Sequence, residues 1–178
     1  MPHTETLASC SMAGSQYCLI KNNIMETKLI AIRGNANTGK STVAACVNNQ
    51  LVEIQRAEIL SGKVVPLVKE NEHEISCFSS TLKLNGKKIH IISEGDVDDR
   101  LEEQMDSAMQ REPDILVICL RSANREGSSL RLVKDKYTEL YKDGIEVWTS
   151  FSTDESIMLQ LKQAIAIIIV NKIVELLK

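Results

Sequence analysis

Apolar residues along this chain fall into short blocks whose spacing switches between two periods. The run KLIAIRG (28–34) is continuous and ends in glycine, which predicts a buried strand. KSTVAACVNNQL (40–51) follows, with Val43, Ala44, Val47 and Leu51 on one helical face. Residues 52–74 show little period; KVVPLV (63–68) reads as a strand that Pro66 confines to an edge or a turn. In ISCFSSTLKLNGKKIHIISEGD (75–96) two β-rich runs flank Asn85-Gly86, the signal of a two-residue hairpin turn. VDDRLEEQMDSAMQRE (97–112) returns to helical spacing, with Leu101, Met105, Ala108 and Met109 on one face and Pro113 limiting it. DILVICL (114–120) has the continuous apolar character of a fully buried strand. SLRLVKDKYTELY (129–141) aligns Leu130, Val133, Tyr137, Leu140 and Tyr141 as one helix, closed by KDG (142–144). IEVWTSF (145–151) is a further strand, STDES (152–156) offers N-cap residues, and a long apolar helix over 156–177 completes the pattern.

Strands alternating with helices predict an α/β fold, a mostly parallel sheet covered on both faces, with the hairpin as an antiparallel edge. Residues 1–25 are polar and without period, and read as a flexible extension with Met25 as a natural second start. Residues 26–178 read as one domain, since the length suffices for a single core and no repeat divides it.

Composition removes several function classes. Apolar residues make 43% and charged residues 25%, an ordinary globular balance. With 21 basic against 24 acidic residues, net charge −3 and 3% aromatics, nucleic acid is not indicated as a partner. Five cysteines at irregular spacing, with no C-x-x-C, give neither a disulfide framework nor a zinc site, and His3, His73 and His90 are isolated. The first residues lack a charged segment followed by an apolar run, and AIAIIIV (164–170) is far shorter than the roughly 20 residues that cross a bilayer. No membrane partner and a cytoplasmic location are therefore expected.

The candidate chemistry lies in RGNANTGKST (33–42). Residues 34–41 fit G-x-x-x-x-G-K-[ST], with the predicted strand before and helix after that this motif requires. Gly34 and Gly39 let the backbone turn its amides inward, with Asn35, Ala36, Asn37 and Thr38 supplying amides between them. The helix end behind the loop adds a partial positive charge. Lys40 would reach the β- and γ-phosphates, Ser41 would place its hydroxyl on Mg²⁺, and Thr42 stands beside it.

On these residues the chain resembles the P-loop NTPase superfamily, in the order of elements over most of 28–178 and in a specific motif over 34–41. The resemblance implies a three-layer α-β-α P-loop NTPase fold and a nucleoside triphosphate bound with Mg²⁺. The family's acid follows an apolar strand, where IHIISEGD (89–96) offers Glu94 and Asp96 as rivals for the metal and the catalytic step. Ser93 stands in the slot the acid usually takes; Asp98 and Asp99 are outside candidates for it that read more readily as helix caps. The GTPase pattern D-x-x-G would fall on residues 93–96 and fails at both ends; N-K-x-D is missing, since NKIV (171–174) lacks Asp. ATP is accordingly preferred to GTP. EGDVDDR (94–100) resembles the D-G-x-x-R region of nucleoside monophosphate kinases. RSANREGSSLR (121–131) resembles their arginine-bearing lid, with Arg121, Arg125 and Arg131 placed to stabilise a transferring phosphoryl group. LVICLRSANREG is also similar to small bacterial P-loop proteins of unassigned function. Hydrolysis, phosphoryl transfer to a nucleotide or small molecule, and nucleotide binding as a switch or without turnover all stay open.

The last helix carries Ile157, Leu161, Ala164, Ile165, Ile168 and Ile169 as a stripe that Ile167 and Val170 widen. A helix apolar nearly all round is expected to be core, covering one sheet face. The alternative is a homodimer or protein-partner contact.

Overall fold

The computed structural model describes residues 27–65, 67, 77–94, 98–123, 127–149, 152 and 154–178. Asp96, Arg125, the extension over 1–25 and the segment 68–76 lie outside the described residues. The elements run β1 (Lys28–Gly34), α1 (Lys40–Glu53), β2 (Glu58–Ser61), β3 (Ser79–Leu84), β4 (Lys87–Ile92), α2 (Asp98–Gln110), β5 (Ile115–Arg121), α3 (Ser129–Lys136), α4 (Thr138–Lys142), β6 (Ile145–Trp148) and α5 (Glu155–Leu176).

The fold is mixed α/β. One six-stranded sheet has the order β2-β3-β4-β5-β1-β6. β4, β5, β1 and β6 are parallel to one another, while β3 is antiparallel to both β4 and β2. The hairpin forms as its sequence demands: Asn85 and Gly86 both take positive φ, 52° and 81°, the geometry of a type I′ turn. It is not the edge itself, because β2 lies outside it. That strand is EILS (58–61), not the predicted 63–68, where residues 63–65 are irregular and Pro66 is outside the described residues.

Period-two alternation in the central strands divides the core between two faces. Ile30 and Ile32 of β1 with Ile115, Val117 and Cys119 of β5 point to one face, where α1 and α5 cover them. Leu29 and Ala31 with Leu116, Ile118 and Leu120 point to the other, beneath α2, α3 and α4. Each fully buried Leu or Ile contributes on the order of 2 kcal/mol, so these two clusters, not strand propensity, hold the sheet. The predicted helix faces are buried as expected, Val43, Ala44, Val47 and Leu51 on α1 and Leu101, Met105, Ala108 and Met109 on α2.

Two helical expectations are corrected. The stretch 129–141 is two helices, because Tyr137 leaves helical geometry at φ −118° and ψ 45°. Its apolar face continues across the break, which is why spacing alone reads one helix: Leu130, Val133, Tyr137 and Leu140 are all buried. The second correction concerns α5. The buried stripe is Met158, Ala166, Ile169, Val170 and Ile173, while Ile157, Leu159, Ile167 and Ile168 are exposed. The helix therefore covers one sheet face but is not buried all round. Over Ile157–Leu176 it is also long and apolar enough to cross a membrane by length and composition, contrary to the expectation from the seven-residue run, and 28% of that apolar window is buried. Of its buried stripe, Ala166, Ile169, Val170 and Ile173 pack into the sheet core with α1.

Candidate phosphate-binding site

The connections out of β1 and β5 leave the sheet toward opposite faces, since β1 leads to α1 and β5 to α3. The carboxyl ends of β1 and β5 are neighbours, paired at Gly34 and Arg121. In open α/β sheets such a reversal opens a crevice where ligands bind. The loop over residues 35–39 occupies this position.

Several contacts shape the loop. Gly39 takes φ 77°, a left-handed value that favours glycine, and caps α1 without any side-chain hydrogen bond. The first turn of α1 has no acidic residue, so its amides and positive end are not neutralised there. Lys40 is 6% exposed, and its Nζ donates to the Asn35 carbonyl at 2.8 Å, which folds the ammonium across the loop. Ser41 Oγ donates to the Ser93 carbonyl at 3.3 Å, bringing the end of β4 to the start of α1. The Ser122 amide donates to the Gly34 carbonyl at 3.1 Å, and the Ser122 hydroxyl bonds the Asn35 side chain.

From the far side, β6 braces the loop through Thr149. Its amide donates to the Arg33 carbonyl at 2.7 Å, and its hydroxyl meets that of Thr38 at 2.8 Å. A Cβ on Gly34 would collide with both hydroxyls, so glycine is required there by close approach. Arg33, one residue earlier, points to the opposite face. It is 5% exposed, pairs with Glu146 at 2.7 Å, donates to the Ser122 carbonyl at 3.1 Å and to Tyr141 Oη at 3.0 Å, and lies 4.6 Å from the Trp148 ring centroid. Burial pushes the Tyr141 hydroxyl up to about 12, helped by its bond to Glu146. Burial raises the Glu146 carboxyl too, but the Tyr141 bond and the Arg33 charge outweigh it and hold Glu146 below its ordinary value. Arg33 thus ties the ends of β1, β5 and β6 together.

Of the predicted site residues, Gly34, Asn35, Ala36, Asn37, Thr38, Gly39, Lys40, Ser41 and Thr42 form one loop and helix start. Glu94 follows Ser93 at this edge, but both of its oxygens are engaged by α2, from Arg100 Nη1 at 3.3 Å and Gln104 Nε2 at 2.5 Å. Arg121 ends β5 beside Gly34, with its amide donating to Ser129 Oγ at 3.0 Å. Arg131 does not join it: its Nε pairs with Asp135 on the exposed side of α3 at 2.6 Å. Asp96 and Arg125 lie outside the described residues. NKIV is the body of α5, where Lys172 pairs with Glu175 at 3.0 Å and Ile173 is core.

Among the described residues, no three His, Cys, Asp or Glu side chains gather as a metal cage. A magnesium ion held mainly by phosphate and water needs only one or two protein oxygens, and the Ser41 hydroxyl fits that smaller role. Sequence reading missed Arg33, Ser122, Thr149 and Lys162, whose side chain lies against Gly39 so closely that a Cβ there would meet its Cε. The signal for Thr149 was its place at the carboxyl end of a predicted parallel strand; Lys162 gave none. The chain matches no family model, no curated protein and no solved structure.

Proposed function

We propose that this chain is a P-loop protein that binds a nucleoside triphosphate with Mg²⁺, ATP in preference to GTP, and hydrolyses it. One observation carries the reading: a glycine-bounded loop at the sheet's reversal point ends in an uncapped helix start, with a buried lysine folded across it. The amides of residues 35–41 would hold the phosphates, and Lys40 would exchange the Asn35 carbonyl for phosphate oxygens, a stronger charge-assisted partner. Ser41 would hold Mg²⁺, which when bound neutralises charge on the β- and γ-oxygens. The engaged lysine of NKIV supports ATP over GTP, because that side chain is not presented as a guanine reader. The kinase reading has less support, since Arg131 is committed to Asp135. A cytoplasmic location, where the triphosphate is supplied, follows from the same reading.

The test is thermal unfolding with and without Mg-ATP, followed by phosphate release. Ligand at a hundred times Kd adds about 2.7 kcal/mol, a shift of about 5–10 °C for a chain of this size. The native chain should show it, and Lys40→Ala should lose it while keeping the ligand-free midpoint. Equal shifts in both proteins would sink the P-loop reading. ³¹P NMR then separates inorganic phosphate from a new phosphoester, which would make the protein a kinase instead.

A further inference from the structure

The inner stripe of α5 is apolar at Met158, Ala166, Ile169, Val170 and Ile173, but the residue one turn after Met158 and one before Ala166 is Lys162. Lys162 is partly exposed, so its stem can lie along this apolar stripe while its ammonium stays near solvent, and where that ammonium is directed is the informative feature. Its stem runs over the phosphate loop. A Cβ on Gly39 would fall on Lys162 Cε, and 2.6 Å from its Nζ. Gly39 is thus bare for two reasons, its positive φ and the lysine laid across it.

The electrostatic setting is one-sided. Lys162 sits against the positive end of α1, whose first turn carries no acid and includes Lys40. Among the described residues, no carboxylate pairs with Lys162, whereas Arg33, Arg100 and Arg131 each hold one. Its charge extends along α1 as far as the buried Cys46, where burial raises the thiol and Lys162 lowers it. Two ammonium groups at a helix's positive end repel one another and the dipole unless an anion lies between them.

We propose that Lys162 is a second phosphate-binding cation of this site, delivered by the last helix across Gly39 to the oxygens of a bound polyphosphate. The inference rests on the P-loop reading and adds a selectivity to it. A second cation favours triphosphate over monophosphate, because it adds a contact only where the ligand's charge is extended. It also joins α5 to occupancy of the loop.

The test is titration of Mg-ATP, Mg-ADP and AMP into the native chain, Lys162→Met and Lys162→Arg, across a salt series. Trp148 reports binding, being the chain's single tryptophan and next to Thr149, which touches Thr38. Lys162→Met keeps the stem without the charge. It should weaken Mg-ATP about tenfold or more, weaken AMP less, and flatten the salt dependence. Lys162→Arg should retain most of the affinity. A Lys162→Met protein with native affinity and native salt slope would overturn the proposal and leave the P-loop reading standing. A native chain that binds no Mg-ATP would overturn both. Should Lys162→Met melt early, Lys162→Gln takes its place under the same criteria.

Discussion

Two regions of this sheet bury polar groups, and they close them differently. At the antiparallel margin the described groups are satisfied by protein partners. His90 lies between the hydroxyls of Ser79, at 3.1 Å, and Thr81, at 2.8 Å. Asn48 accepts from Ser80 at 2.6 Å and donates to the Lys63 carbonyl at 3.1 Å, while Asn49 both donates to and accepts from the backbone of Val65. These contacts pin the segment after β2 onto α1 and leave no polar function over. At the carboxyl edge of β1 polar side chains are engaged as well, Lys40 by the Asn35 carbonyl and Thr38 by Thr149, but glycine, an uncapped helix start and two lysines gather around one loop. The margin is polar in order to be complete. Under the proposed function, the edge gathers positive groups to receive an anion.

The strongest way to break this contrast is Gly34→Ala. The added methyl would press on the Thr38 and Thr149 hydroxyls, both on stiff β-branched side chains held by the loop and β6. Overpacking of this kind costs about 1–3 kcal/mol. Because the strain falls on the loop, the variant should also lose its Mg-ATP thermal shift altogether. A Gly34→Ala protein that still responds to Mg-ATP like the native chain would show that the Thr38–Thr149 brace does not shape the site.

The margin is challenged by acid instead. Burial, with the Arg111 charge second, holds His90 down at about 4 from 6.5. Below pH 6.5 the unfolded chain takes a proton at this position and the folded chain does not. Stability therefore falls as pH drops from 6.5 to 4 and levels off below, with a span of about 3 kcal/mol. Urea midpoints at pH 7 and pH 4.5 should separate the native chain from His90→Gln, which cannot titrate in that window. Identical pH slopes for the two proteins would mean that His90 protonates freely in the folded state.

The two regions were also unequally legible. The hairpin was plain because Asn85 and Gly86 name a turn that only a few residue pairs make, and β1 and β5 were plain because strands buried on both faces leave long apolar runs. The same reading missed β2. Four residues, Glu58–Ser61, mostly exposed, carry neither alternation nor an apolar run, and Pro66 drew the assignment downstream. The candidate loop was legible as far as its residues are local, from Gly34 to Thr42. What holds it is not local: Ser122 reaches Asn35 across 87 residues and Thr149 reaches Thr38 across 111. Such partners come from strand order, which no single stretch encodes. Lys162 was hidden more deeply, since in sequence it is a polar interruption in an apolar helix and reads as an outward residue.

The smallest expected effect sharpens the edge of the site. Arg131 stood in sequence beside Arg121 and Arg125 as a lid residue, yet its guanidinium bonds Asp135 one turn along α3, with both side chains more than half exposed. An exposed pair at this spacing is worth about 0.3–0.5 kcal/mol. Arg131→Ala should therefore move the melting midpoint by no more than about 1–2 °C and leave Mg-ATP affinity and phosphate release at native values. The comparison with Lys162→Met makes the measurement informative, since each variant removes one cation near the same edge. If charge in the neighbourhood were enough, the two would weaken ATP alike. If contact with the loop decides, only the lysine laid over Gly39 matters, and a large loss of phosphate release in Arg131→Ala would return the arginines to the mechanism.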